Sequence, residues 1–108
     1  MKIFKALKEL HEFRRRYLPF LKSLEDAEIV REVGLHQGTG SPLTLKMLFL
    51  QGIGSAATVQ RRLGRLKRLG VVQQTRADHD KRNMHLTLSP KVWAMYGRMG
   101  RMVRRTLD

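Results

Sequence analysis

The sequence predicts a mainly α-helical fold with a small β-hairpin: a winged helix-turn-helix flanked by N-terminal and C-terminal dimerisation helices. Residues 43–88 contain, in order, a short apolar helix, a glycine-containing turn, a basic amphipathic helix and two short strands joined by a charged loop. Apolar residues at helical spacing precede and follow this segment. We therefore divide a single domain, residues 1–108, into an N-terminal helix at 1–22, a core at 23–88 and a C-terminal helix at 89–108.

Positive charge is concentrated in the second half of the chain. The formal net charge is +13, from 22 Lys and Arg against 9 Asp and Glu. Residues 1–22 carry +5, residues 23–54 carry −2 and residues 55–108 carry +10. Such a segregated excess of cations indicates a polyanionic partner, with the positive field centred on the basic helix, the hairpin and the last helix.

Cap residues mark the helices before the turn. Ser23 precedes acidic residues, which is typical of a helix start, and Thr44 is placed to cap a short helix that runs to about Gln51. The glycine-rich segment 34–41 predicts a loop between these two helices. One apolar stripe is expected on the helix after Ser23, formed by Leu24, Ala27, Val30 and Val33.

The basic helix at residues 55–69 is the predicted recognition helix. Ser55 caps it, and Val59, Leu63 and Leu66 form its apolar face. Its other face combines small residues, which allow close approach to DNA, with side chains that bind base edges and phosphates. This interpretation requires the arginines after Gln60 to point outward. The candidate DNA-binding residues of the helix are Ser55, Ala57, Thr58, Gln60, Arg61, Arg65 and Arg68.

The segment 71–88 is the predicted wing. Gly70 ends the recognition helix, strands are expected at 71–76 and 83–88, and the residues between them form the loop. Cations at a hairpin tip can enter a minor groove, where the negative potential attracts them. The wing candidates for DNA contact are Arg76, Lys81 and Arg82, with Asp80 as the residue that positions Arg82 through an ion pair.

Two terminal helices are expected to mediate assembly. Residues 3–18 have apolar residues at helical spacing and stop before Pro19, and Ser89 with Pro90 begins the last helix. Either helix could instead pack only on its own domain. The basic face of the first helix also fits a helix lying on an anionic membrane, but acidic residues interrupt that face, so no membrane partner is expected.

Several kinds of chemistry are disfavoured. The chain has no cysteine, which excludes disulfides and Cys-based zinc sites and fits a reducing cytoplasm. With a polyanionic partner, the expected location is the bacterial cytoplasm next to the nucleoid. The sequence cluster of Asp78, His79, Asp80 and His85 suggests a metal site only weakly, because a wing loop provides no rigid ligand geometry. We expect no metal, no cofactor and no catalytic residue, and hence no enzyme.

The leading functional hypothesis is a sequence-specific, dimeric transcription regulator whose partner is double-stranded DNA. The alternative is a non-specific or architectural nucleic-acid-binding protein, in which the same charge supplies affinity without sequence choice. A third interpretation is a protein-interaction module. A platform that stacks single-stranded bases is disfavoured, because only 6% of the residues are aromatic.

Three segments resemble the MarR family of bacterial regulators. These are SAATVQRRLGRLKRLGVV, which begins at Ser55, the Asp80-Lys81-Arg82 element, and Leu86-Thr87 at the end of the second wing strand. The resemblance covers residues 43–88. It implies a homodimer built from the terminal helices, whose recognition helices insert into successive major grooves. The same resemblance implies that the protein is a repressor. It also implies that Arg82 reads the minor groove, that Asp80 positions it, and that a small aromatic effector binds between the dimerisation and DNA-binding parts.

Overall fold

Five helices and three strands follow one another in the part of the chain that the structure describes. The structure, a computed structural model, describes the backbone of residues 1–77 and 80–108 and the side chains of residues 1–76 and 84–108. The elements are α1 (Lys2–Tyr17), α2 (Leu24–Gly38), β1 (Leu43–Thr44), α3 (Leu45–Phe49), α4 (Ala56–Arg68), β2 (Val72–Ala77), β3 (Asp80–Leu88) and α5 (Pro90–Leu107). They form two compact units. The winged unit is residues 22–89, and the terminal-helix unit is residues 1–21 together with 90–108. The single-domain organisation stays a prediction.

Side-chain caps begin three helices of the winged unit. Ser23, Thr44 and Ser55 precede α2, α3 and α4, and each hydroxyl accepts the backbone N–H three residues later, at 3.1–3.2 Å. These bonds satisfy amide groups that a helix leaves unpaired at its start. All three predicted caps are confirmed. The predicted C′ glycine after α4 is also confirmed, because Gly70 has φ +74°, a conformation that other residues rarely adopt.

Helix α2 differs from its prediction in length and in its buried face. It continues to Gly38, so most of the predicted loop at 34–41 is helical. Glycine at position 34 suits the close approach of α2 to β3, because a Cβ there would lie only 3.3 Å from Leu88 Cδ1. Leu24, which the predicted stripe included, is 73% exposed and does not belong to the buried face. The inward face instead begins at Asp26 and continues through Ile29, Val30 and Val33.

The sheet has three antiparallel strands in the order β1-β3-β2. The pairs Leu43↔Leu86 and Val72↔Leu88 set its register. Strand β1 was not predicted, because two residues are too few to show an alternating pattern. The hairpin strands extend beyond their predicted ends, which leaves residues 78–79 between them, and these two lie outside the described residues.

The core of the winged unit is built from side chains of its three helices and its sheet. Its fully buried side chains come from α2, β1, α3, α4 and the sheet, and they include Ile29, Val33, Leu43, Leu48, Val59, Leu66 and Leu86, each at 0% exposure. The predicted apolar face of α4 is confirmed, since Val59, Leu63 and Leu66 are all buried. Burial of this face leaves the opposite face of α4 at the surface.

The terminal-helix unit pairs α1 with α5 in opposite directions. Lys2 Nζ donates to the backbone oxygen of Asp108 at 2.9 Å, and the Thr106 hydroxyl donates to the Glu9 carboxylate at 2.5 Å. Phe13 is buried against Tyr17, with ring centroids 4.8 Å apart. Burial raises the pKa of the Tyr96 hydroxyl above its ordinary value of 10.0, against the smaller opposing effect of the Arg14 charge.

Apolar side chains remain exposed on the terminal-helix unit. Ile3, Phe4 and Leu7 on α1 are 44%, 67% and 51% exposed, and Leu107 at the end of α5 is 44% exposed. The hydrogen bond between Lys2 and Asp108 places the start of α1 beside the end of α5. We call these four side chains the apolar patch. Among the described residues, no helix is both long and apolar enough to cross a membrane.

Candidate functional site

The start of α4 presents a surface of small and polar residues. The turn before it contains Gly52 at φ +72°, and Ser55, Ala56 and Ala57 are exposed. The Ser55 hydroxyl also donates to Thr58 Oγ1 at 3.0 Å, so that the Thr58 side chain is half-buried and held locally. Short side chains here let a polyanion approach the backbone N–H groups at the helix start.

The structure separates the predicted DNA-binding side chains into three groups. Six of those with described side chains are exposed: Ser55, Ala57, Gln60, Arg61, Arg68 and Arg76. Thr58 and Arg65 are half-buried. The side chains of Asp80, Lys81 and Arg82 lie outside the described residues, so their roles in the wing stay predictions.

The arginines after Gln60 do not all point outward. Arg61 is exposed, but Arg65 Nη1 donates to Asp26 Oδ2 at 3.2 Å, and Arg62 Nη1 lies 3.7 Å from the same oxygen. The requirement that these arginines face outward is therefore met by Arg61 and Arg68 and not by Arg62 and Arg65. The reason is tertiary: α4 lies on α2, and a carboxylate of α2 faces it.

Asp26 contacts the candidate site, and sequence reasoning missed this contact. Its position near the start of α2 is explained by a helix cap alone, and the Lys22 N–H does donate to its Oδ2 at 3.0 Å. Yet its side chain is fully buried, and it joins α2 to α4 across 39 residues of sequence. No local pattern carries that signal. Arg62, which shares the contact, was missed for the same reason.

A second contact joins α4 to the sheet. Lys67 Nζ donates to Gln74 Oε1 on β2. Arg76, further along β2, is exposed, and the strand register becomes irregular between Arg76 and Ala77. An irregular register locally increases the twist of a strand.

The terminal-helix unit contains an aromatic groove with a cationic rim. Its volume is about 390 Å³. We call it the arginine groove, and it is lined by Phe13, Tyr17, Arg98, Arg101, Met102 and Arg105. The Arg98 guanidinium lies over the Tyr17 ring, 4.9 Å from its centroid. Among the described residues, no carboxylate forms an ion pair with the three lining arginines.

Several solved structures are similar to this chain. A MepR–DNA complex from Staphylococcus aureus has a TM-score of 0.67 at 18% identity, covering 97% of this chain and 77% of that chain. NadR in complex with 4-hydroxyphenylacetate has a TM-score of 0.62 at 18% identity, covering 97% and 74%. A MarR-family transcriptional regulator from Silicibacter pomeroyi has a TM-score of 0.55 at 18% identity, covering 98% and 69%.

The chain has the winged-helix fold of MarR regulators. The predicted fold class is therefore confirmed, and the likeness extends over both the winged unit and the terminal helices. No sequence model of a protein family and no curated protein sequence matches the chain. The likeness to MarR regulators is therefore one of backbone fold, at 18% sequence identity to each of the three structures.

Proposed function

We propose that this chain is a DNA-binding transcription regulator that inserts α4 into the major groove and its β2–β3 wing into the neighbouring minor groove. One observation carries the proposal: α4 buries Val59, Leu63 and Leu66 and exposes small and cationic residues on its other side. A helix with that division can lie in a groove without disturbing its own core. MepR, which shares the fold, is solved in complex with DNA, and this supports a DNA-binding function.

A symmetric homodimer is part of the proposal. Two observations support the dimer: the apolar patch on the terminal-helix unit, and the resemblance to a family whose terminal helices dimerise. Burying such side chains against a second copy would remove them from water. A two-fold dimer requires a palindromic operator with half-sites about one helical turn apart. The same resemblance favours a repressor, which acts by occupying its operator.

A selection from random duplexes tests the proposal. Purified protein should enrich one palindromic sequence, and competition with random duplex should leave that sequence bound. Arg61→Met should lower affinity for the selected operator by about 1–3 kcal/mol if Arg61 binds a base edge, and it should affect random duplex less. The matched control is Arg31→Met, because Arg31 lies on α2 and pairs with Glu32 at 3.8 Å.

The result also separates the alternatives. Enrichment of no sequence, with tight binding to every duplex, would favour the non-specific or architectural nucleic-acid-binding protein. An absence of duplex binding at low salt would contradict any DNA-binding role and leave the protein-interaction module.

The arginine groove supports a second function, the binding of a small aromatic effector. Its ring-lined floor and three arginines suit an aromatic anion, since guanidinium groups bind carboxylates in a bidentate manner. NadR, which shares the fold, is solved with 4-hydroxyphenylacetate. The groove lies within the α1–α5 pair, whereas the family resemblance implies a site between the dimerisation and DNA-binding parts.

Calorimetric titration with 4-hydroxyphenylacetate and with its neutral amide tests the effector site. The carboxylate should bind saturably and the amide much more weakly, because the rim is cationic. Arg101→Met should abolish binding, whereas Arg104→Met, which removes an exposed arginine outside the groove lining, should not. Equal binding of acid and amide, or equal loss in both variants, would contradict an effector site in this groove.

A further inference from the structure

Asp26 is a buried carboxylate whose partners include two arginines of the recognition helix. Its side chain is 0% exposed. Oδ2 accepts the Lys22 N–H at 3.0 Å and Arg65 Nη1 at 3.2 Å, with Arg62 Nη1 at 3.7 Å, whereas Oδ1 has no hydrogen-bond partner among the described residues. A buried, ionised carboxylate is stabilised by such neighbouring cations, because burying an unpaired charge is strongly unfavourable.

The two arginines differ from the others on α4. Arg62 and Arg65 are three residues apart and therefore share one side of the helix, and their side chains are only 29% and 28% exposed. Arg61 and Arg68 belong to the exposed class. The helix thus holds four arginines of which two are turned towards the interior and two towards solvent.

A phosphate that recruited Arg65 would have to separate it from Asp26. Separation leaves a buried carboxylate with less compensation, which costs far more than breaking an exposed ion pair. We propose that Asp26 is an internal counter-anion that withholds Arg62 and Arg65 from DNA, so that Arg61 and Arg68 are the α4 arginines that reach DNA, Arg61 at a base edge and Arg68 at a phosphate. This inference rests on the proposed DNA-binding function.

Specificity is the expected consequence. Contacts between cations and phosphates raise affinity for every sequence alike, whereas discrimination comes from base edges and DNA shape. A recognition helix with four free arginines would bind random duplex tightly and select poorly. By neutralising part of that charge inside the protein, Asp26 lowers the sequence-independent part of binding and raises the ratio of specific to random affinity.

Salt titration of duplex binding measures this directly. The logarithm of affinity falls with the logarithm of salt concentration by about 0.9 for each phosphate neutralised. Asp26→Asn should therefore steepen the slope on random duplex by about 0.9 to 1.8, as one or both arginines reach phosphates. Random-duplex affinity should rise several-fold at low salt, and the ratio of selected operator to random duplex should fall.

Glu28→Gln is the matched control for Asp26→Asn. It removes one negative charge from the same helix, and the structure describes no ion pair between Glu28 and an arginine of α4. Changing the net charge alone should shift affinity slightly without adding a phosphate contact, so the Glu28→Gln slope should equal that of the unaltered protein. A slope change of equal size in both variants would overturn the inference.

Arginine variants keep the test decisive if Asp26→Asn does not fold, which a thermal melt would reveal. Arg68→Met should flatten the salt slope by about 0.9. Arg65→Met should leave it unchanged, because Arg65 is already paired with Asp26. Where Asp26→Asn folds, adding Arg65→Met to it should remove part of the gained slope. Equal flattening by Arg68→Met and Arg65→Met would overturn the inference.

The outcomes distinguish this inference from the function beneath it. An unaltered protein that binds no duplex at low salt overturns the DNA-binding function and the inference with it. An unaltered protein that binds a selected operator, together with a folded Asp26→Asn variant whose slope does not change, overturns the role of Asp26 alone.

Discussion

The winged unit and the terminal-helix unit contain the same number of basic residues but manage them differently. Each has eleven, whereas the winged unit has six acidic residues and the terminal-helix unit has three. In the winged unit, buried Asp26 draws Arg62 and Arg65 inward. In the terminal-helix unit, Arg98, Arg101 and Arg105 surround an open groove. The position of a cation in sequence therefore does not establish that it is available to a ligand.

The two units also differ in how completely they bury apolar residues. The winged unit has a continuous core with many side chains at 0% exposure, and three of its helices begin with a side-chain cap. Helix α1 has no side-chain cap bond, and it exposes three large apolar residues. We expect the winged unit to be stable through its own contacts and the terminal-helix unit to gain stability from a second copy.

Removing a core side chain from α4 should have the largest effect. Leu66→Ala deletes a fully buried side chain, and we expect a loss of about 2–5 kcal/mol in the free energy of unfolding, measured by urea denaturation. Leu69→Ala is the control, because Leu69 is 55% exposed, and it should change stability by less than about 0.5 kcal/mol. Similar losses in both variants would show that burial of Leu66 in the core is not what stabilises the winged unit.

A charge in the apolar patch should weaken the dimer. Leu7→Glu places a carboxylate where a second copy would bury leucine, so the dimer dissociation constant should rise by about tenfold or more, measured by analytical ultracentrifugation. Leu24→Glu is the matched control, since Leu24 is also exposed but belongs to the winged unit. Dissociation constants that change equally in both variants would argue against dimerisation through α1.

Removing a helix cap in the winged unit should have a moderate effect. The Ser23 hydroxyl accepts the Asp26 N–H at 3.1 Å, so Ser23→Ala should lower stability by about 1 kcal/mol in the same urea assay. Ser41→Ala removes an exposed hydroxyl in a loop and should be nearly neutral. A neutral Ser23→Ala variant would mean that α2 begins without help from this hydroxyl.

The smallest effect concerns Tyr96 in the terminal-helix unit. Burial raises the pKa of Tyr96, so folding is favoured while the hydroxyl is protonated, and this contribution is lost as pH rises above the ordinary value of 10.0 through the raised pKa. Tyr96→Phe should therefore lose less stability between neutral and strongly alkaline pH than the unaltered protein. Parallel pH profiles of unfolding for the two proteins would contradict this linkage.

Much of the fold was predictable because its signals are local. The caps Ser23, Thr44 and Ser55 lie within three residues of the amides they bind, and the apolar spacing of α4 repeats over a few turns. Strand β1 was not predictable, since its two residues are recognised only by pairing with β3. The packing of Gly34 against Leu88, 54 positions along the chain, was likewise invisible in the local pattern.

The candidate site was predictable only in part. The order of turn, basic helix and hairpin located it, and the structure exposes Arg61, Arg68 and Arg76 as the pattern required. Arg65 had the same apparent role in the sequence but donates to Asp26 in the fold. The arginine groove combines residues from opposite ends of the chain, which no single motif could reveal.

The amino-acid sequence by itself determined where α2, α3 and α4 begin and which face of α4 is apolar, because those properties depend on neighbours a few residues away. Only the tertiary structure decided which cations stay available, because folding buries the Asp26 carboxylate and pairs it with the Arg65 guanidinium, which lies 39 residues away in sequence.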